Sequence, residues 1–151
     1  MARYVTSVAT PLSAAEAFAY MADVTHFIEW DPGVKRVLRV AGDADGAGVG
    51  VGAAYDLTVQ AGGTTVMRYE VREYAPPRRI LLVARTSFLT SVDEVRVEAA
   101  GSGSIVTYDA KLTLNWPLGL LDPFLRLAFR RIGDRAAAGL KRVLSGKAVA
   151  R

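Results

Sequence analysis

The stretch HFIEWDPGV, residues 26–34, gathers the chain's one histidine, His26, with two carboxylates, Glu29 and Asp31, and one of its two tryptophans, Trp30. Those types at that spacing suggest acid–base work; the competing reading is the corner of a folded domain with a polar exterior. A serine triad needs a histidine base, and no G-x-S-x-G turn is present to carry its nucleophile. Zinc needs nitrogen or sulfur ligands, and the chain has no cysteine and no second histidine. We expect no metal and no cofactor. Near the start of a helical turn His26 reads as a capping or surface residue. Glu29 and Asp31 read as outward helix-end charges. Trp30 is the member of the group to bury, at the junction of a short helix and a sheet. The stretch reads as a corner.

A second stretch imitates a binding loop. GDADGAGVGVG, residues 42–52, is rich in glycine, but a strand follows it, so no helix N-terminus would receive a phosphate. Asp43 and Asp45 have the spacing of calcium ligands, yet an EF-hand needs glutamate where Ala54 stands. A flexible turn explains the composition. The remaining chemistry lies on strands of alternating pattern. Parity places Tyr55 with Leu57 and Val59 on one face, and Tyr69 with Met67 and Val71 on one face of the next strand. Asp93 and Tyr108 share a face of the last hairpin. Buried without a cation, Asp93 would hold its proton more tightly and become a candidate catalytic acid or base. The alternatives are that Arg85 pairs with it, or that it is solvated near a strand end.

The elements that must position these residues follow from period and punctuation. RYVTSVATP, residues 3–11, is an opening strand that Pro11 stops. Ser13 with Glu16 is a capping box for a helix over 14–23, and Asp23 or Thr25 caps a second short turn over 26–30 that Pro32 and Gly33 end. The period then changes to two, giving strands over 34–40, 54–60, 64–74, 80–86, 91–99 and 104–114. Gly101-Ser102 suits a two-residue hairpin turn, and pairing Ala100 with Gly103 sets Val97 against Val106, Val95 against Tyr108 and Asp93 against Ala110. Pro117 opens a helical stretch running to about Leu144, with a break or kink near Asp122 because Pro123 follows. Its apolar stripe is Leu121, Leu125, Ala128, Ile132, Ala136, Gly139 and Val143.

Short turns between successive strands make an antiparallel sheet with one apolar face, and only the C-terminal helix is long enough to cover it. We expect an α+β fold, a curved seven-stranded antiparallel sheet wrapped around that helix, with two short helices between the first two strands. It forms a single domain over 1–151. Small residues such as Ala110, Ala128 and Gly139 would leave space between the layers. Candidate ligand-binding residues are Trp30, Tyr55, Tyr69, Val95, Tyr108 and Ala110 from the corner and sheet. Ala128, Phe124 and Phe129 join them from the helix, where the two phenylalanines either line a mouth or pack as core.

The element order, the opening TSVATPLSAAEAFAYMADVTHFIEWDPGV, the stretch YEVREYAPPRRILL and the terminal helix together resemble the START-like, SRPBCC superfamily. Its polyketide cyclase/dehydrase and lipid-transport branch fits best, over nearly the whole chain. The resemblance implies a helix-grip fold with a deep apolar cavity for sterols, lipids, polyketides or similar molecules. It implies no single reaction, since one fold hosts binders, carriers, cyclases and regulators. The first functional expectation is a carrier or sensor binding a lipid, polyketide or isoprenoid-like molecule. The second is a polyketide cyclase or dehydrase using Asp93 and tyrosines as acid/base groups. The third is a regulatory protein that binds anionic membrane through its C-terminal helix.

Bulk composition fits these readings. At 151 residues, 51% hydrophobic and 23% charged, the chain is one ordinary globular domain. Its net charge of +4 is polarised: from Arg126 onward eight cations stand against Asp134 alone, a net +7, which leaves −3 on the rest. That is the solvated side of an amphipathic helix or a surface for anionic lipid. Nucleic acid is not expected, because the aromatics face inward and no stacking platform lies among the arginines. No run reaches membrane-spanning length and no secretory signal opens the chain, so we expect a cytoplasmic protein, monomer or homodimer.

Overall fold

The computed structural model describes residues 1–42, 50–60, 63–115 and 122–149. The glycine-rich loop, the tip of the Ala61-Gly62 turn and the helical start expected at Pro117 lie outside them. Strand β1 (Ala2–Thr10) ends at Pro11, and the capping box begins α1 (Ala14–Ala22): the Ser13 hydroxyl accepts the Glu16 amide at 3.1 Å while the Glu16 carboxylate accepts the Ser13 amide at 3.2 Å. Asp23 accepts the Thr25 amide at 3.0 Å and so caps a 3-10 turn over Val24–His26, from which α2 (Phe27–Trp30) continues.

Six further strands follow: β2 (Val34–Ala41), β3 (Ala54–Gln60), β4 (Thr64–Ala75), β5 (Arg79–Arg85), β6 (Leu89–Ala100) and β7 (Gly103–Leu114). All pairings are antiparallel and the sheet order is β1-β7-β6-β5-β4-β3-β2. β1 and β2 are neighbours in sequence but occupy opposite edges, so the segment carrying α1 and α2 must cross the whole width of the sheet. Register shifts in β2–β3 and β4–β5 mark bulges, which bend and twist the strands and let the sheet curve. The long helix α3 (Asp122–Val149) packs against β1 and α2. This curved sheet, long helix and pair of short helices make a helix-grip fold. No described helix is long and apolar enough to cross a membrane.

The β6–β7 hairpin keeps the register its turn demands. Ala100 pairs with Gly103, Val97 with Val106, Val95 with Tyr108 and Asp93 with Ala110. Gly101, at φ +59°, takes the left-handed conformation the first turn position requires. One face of the hairpin is therefore apolar and buried. The other carries ion pairs: Arg3 donates to both oxygens of Asp109 at 3.0 and 2.7 Å, and Arg79 and Arg96 both reach Glu94. Arg3 holds the Asp109 carboxyl below the usual range, and Arg79 and Arg96 do the same for Glu94 against the opposing effect of its burial.

The seam of α3 keeps Ile132, Ala136, Gly139 and Val143 of the expected stripe, adds Phe129, Gly133, Leu140 and Leu144, and leaves out Ala128. Ala136, Leu140 and Leu144 are buried and Phe129 is half-buried, whereas Ala128 is exposed. Eight residues before Ala136, Ala128 is turned about 80° from it, while Phe129 at seven residues is turned only about 20°. The helix ends at Val149 rather than near Leu144, and Pro123 sits in its first described turn, where a missing N–H removes no helical bond.

Two glycines let α3 come close. A Cβ on Gly139 would stand 1.8 Å from the Trp30 carbonyl oxygen, and one on Gly133 would stand 2.2 Å from the Tyr4 ring. Gly139→Ala should therefore lower stability by about 1–3 kcal/mol despite alanine's better helix propensity. Ala138→Gly, at an exposed neighbour, should cost about 1 kcal/mol through propensity alone. Chemical denaturation of both variants checks the contact; a Gly139→Ala protein more stable than the parent would rule the close approach out.

Candidate functional site

Between the concave face of the sheet and α3 lies a cavity of about 120 Å³. Apolar side chains form most of its wall: Leu57 from β3, Met67 from β4, Ala110 from β7, and Phe129 and Ile132 from α3. Polar groups enter as one bonded cluster. The Tyr69 hydroxyl donates to Ser91 Oγ at 2.9 Å, Ser91 Oγ donates to Asp93 Oδ1 at 3.1 Å, and the Tyr108 hydroxyl donates to Asp93 Oδ2 at 2.8 Å. All four residues are buried. β4, β6 and β7 supply them, and the alternation of each strand turns them to the same face.

Burial pushes the Asp93 carboxyl up to about 6, against the Tyr108 and Ser91 hydrogen bonds, which favour its charged form. The phenols of Tyr69 and Tyr108 rise well above their ordinary value for the same reason, reinforced by the nearby Asp93 charge. A carboxyl that titrates near neutrality on an apolar wall can exchange a proton with a bound molecule.

A second carboxylate, Asp31, also reaches the wall. Here the outward placement expected for Asp31 is corrected. The residue follows α2 in extended conformation, and its Oδ1 accepts the Gly33 amide at 2.9 Å, a local turn that holds the carboxylate at the cavity as the chain enters β2. Burial raises its pKa, against the Gly33 hydrogen bond and the Lys35 charge. Glu29 points away from the cavity and accepts the Tyr20 hydroxyl at 2.7 Å. His26 lies outside the described wall: its Nδ1 is 2.9 Å from the Tyr20 carbonyl oxygen, and its ring stacks on Tyr20.

Of the expected ligand-binding residues, Tyr69, Tyr108, Ala110 and Phe129 lie on the wall with Asp93. Trp30, Tyr55 and Val95 are buried in the core without lining the cavity. Trp30 stands edge-on to Tyr108 at 5.1 Å, so it supports a wall residue. Phe124, at 75% exposed, and Ala128 face solvent, because both are rotated off the seam of α3. Ser91 was not singled out from sequence, although it stands two residues before Asp93 and so shares its face. Arg85 does not pair with Asp93; it is exposed, at the end of β5 opposite Thr90.

A family model described as polyketide cyclase / dehydrase and lipid transport matches residues 1–145. The chain belongs to that family. No curated protein matches it. Among solved structures the family fold recurs in a START superfamily protein from Mycobacterium smegmatis, at 16% identity and TM-score 0.76, with 94% of this chain and 96% of that one covered. It recurs in the Zhui aromatase/cyclase from Streptomyces sp. R1128, at 13% identity and TM-score 0.71, covering 97% and 92%. The di-domain ARO/CYC StfQ from the steffimycin biosynthetic pathway matches at 14% identity and TM-score 0.73, covering 99% of this chain and 51% of that one. At such identities the likeness is one of fold, and this chain's own cavity residues must carry any statement about its chemistry.

Burying Asp93 has a consequence for stability with a definite sign. Its folded pKa of about 6 lies above the ordinary aspartate value of 3.8, so between these values the native state keeps a proton that the unfolded chain has lost. Stability therefore falls as pH rises from about 4 to about 6, by about 3 kcal/mol at most. Asp93→Asn removes the charge and keeps the shape. It should raise stability at pH 7.5 by about 1–3 kcal/mol, with the gain vanishing below pH 4. Thermal unfolding across that range checks it; equal stability of the two proteins at pH 7.5 would contradict a buried, ionisable Asp93.

Proposed function

We propose that the protein binds a hydrophobic small molecule, of lipid, polyketide or isoprenoid character, in the cavity under α3, as a carrier or sensor. The observation that carries this reading is a mostly apolar chamber whose buried polar groups centre on the Tyr69–Ser91–Asp93–Tyr108 cluster, with Asp31, Tyr4 and Gln60 also on its wall. Such a lining gives a ligand affinity through area and orientation through a few hydrogen bonds. At about 120 Å³ the chamber is somewhat smaller than the ~150 Å³ of an apolar cavity that accommodates benzene, so a guest no larger than a single ring matches it. Ala110 lies on the wall with its side chain in the gap, and a larger residue there fills the space. Native mass spectrometry of protein from its own cells should show a bound small molecule that Ala110→Trp loses while remaining folded. Equal retention by both would place the ligand elsewhere.

A second reading, a cyclase or dehydrase, is favoured by Asp93 itself. Ionised, it would take a proton from a carbon between two carbonyls; the resulting enolate would attack another carbonyl of the same molecule. Protonated, Asp93 would return that proton to the new alkoxide, and loss of water would follow. With one poly-ketone as ligand, Asp93→Asn should still bind it under either reading and abolish turnover only under this one.

The outer side of α3 favours a meeting with anionic lipid, because Arg130, Arg131, Arg135 and Lys141 are all exposed there. Vesicles rich in anionic lipid should retain the protein at low salt and release it at high salt. Equal retention on neutral vesicles would remove this surface from the account.

A further inference from the structure

Every hydroxyl on the described cavity wall spends its hydrogen inside the protein. The Tyr69 hydroxyl donates its hydrogen bond to Ser91, the Ser91 hydroxyl donates to Asp93, and the Tyr108 hydroxyl donates to the other oxygen of Asp93. Tyr4, which also reaches the wall, donates to Asp134 Oδ1 at 2.7 Å. The Gly33 amide is held by Asp31. What remains directed at a guest is a set of lone pairs, on the carboxylates and on the two phenol oxygens. The one other donor on the wall, the amide of Gln60, belongs to an exposed residue. Trp30 Nε1, a buried donor without a partner, belongs to a residue that does not line the cavity. No lysine, arginine or histidine lies on the described wall.

We propose that the cavity selects a ring-sized apolar molecule by a hydroxyl group that donates to Asp93, and rejects the matching ketone and the matching carboxylate. The proposal rests on the reading of the cavity as a ligand site and names the class of ligand. A hydroxyl completes the open lone pairs of Asp93. A carbonyl in the same place brings another acceptor against them and loses its own water without replacement, which is the costly arrangement for buried polar groups. A carboxylate adds charge repulsion from Asp31 and Asp93.

The selection must depend on the proton of Asp93, because the protonated acid is itself a donor. The groups around it are Tyr108 from β7, Tyr69 from β4, Ser91 on its own strand and Asp31 from the corner. Leu82 is its partner on β5, Asp109 acts on it from the opposite face of β7, and α3 brings only Phe129, Ile132, Gly133 and Ala136 to the wall. None of these is a cation; Asp31 is the other carboxyl that burial holds above its ordinary range, and Asp93→Asn separates its titration from that of Asp93.

The test uses 4-methylcyclohexanol, 4-methylcyclohexanone, 4-methylcyclohexylamine and methylcyclohexane, which share one ring, with affinities read by calorimetry. Near pH 8 the alcohol should bind at least about tenfold more tightly than the ketone. Near pH 5 the gap should shrink to about threefold or less, and Asp93→Asn, which carries an N–H donor, should show the small gap at both pH values. Equal affinities near pH 8, or a gap untouched by pH and by Asp93→Asn, would overturn the proposal while leaving the cavity a ligand site. Tighter binding of the amine than of the alcohol would overturn it in favour of a cation. If none of the four binds, or if Ala110→Trp binds them unchanged, the ligand-site reading fails together with this inference.

Discussion

The pairing of β6 with β7 keeps Asp93 on the concave side of the sheet and Glu94 and Asp109 on the convex side. Side chains alternate along a strand, so a one-residue slip would exchange these sets. It would take Asp93 out to solvent and drive two carboxylates, together with Arg96, toward the core. The short turn at Gly101-Ser102 fixes the register, and the apolar pattern of both strands agrees with it. Carboxylates a residue apart therefore meet opposite environments. Asp109, beside Arg3, is held below the ordinary range, and Asp93, among apolar groups and hydroxyls, is held above it.

A cavity then requires that the covering helix approach the sheet at some points and stand away at others. Gly139 brings the backbone of α3 against the Trp30 carbonyl, and Gly133 admits the Tyr4 ring, so the helix is clamped at α2 and at β1. Arg142 adds a hydrogen bond to the Glu29 carbonyl oxygen at 3.0 Å. Between the clamps the small side chains of Ala110 and Ala136 leave the gap partly empty. Close packing is the rule in protein interiors, and a gap lined by a hydrogen-bonded acid departs from it at a cost in stability. Departures of this kind collect at functional sites.

The fold is shared with a START superfamily protein and with aromatase/cyclases at identities too low to transmit a reaction. What particularises this chain is the wall of its cavity. There, two carboxylates stand on a described wall that holds no lysine, arginine or histidine, and the hydrogens of Tyr69, Ser91 and Tyr108 are spent within the cluster. The same acid serves the binding reading, as an acceptor, and the cyclase reading, as a proton carrier. The two differ in whether a proton moves, a question of reactivity rather than shape.

By itself the sequence determined what short-range chemistry determines. The capping box at Ser13 and Glu16, the turn at Gly101-Ser102 and the strand parities follow from neighbours a few residues apart, and with a long terminal helix they sufficed for the helix-grip order and for the face on which Asp93 and Tyr108 lie. Parity assigns a face but not which part of that face borders the cavity, so Tyr55 and Val95 are buried in the core without lining it, while Tyr69 and Tyr108 do. Only the tertiary structure decided the rotation of α3, which admits Phe129 and turns Phe124 and Ala128 to solvent. It also decided the placement of Asp31, which a turn to Gly33 carries inward from the end of α2. The rotation depends on how a rigid helix settles against distant strands, and the Asp31 turn, though local, meets a cavity only because β4, β6, β7 and α3 stand opposite it.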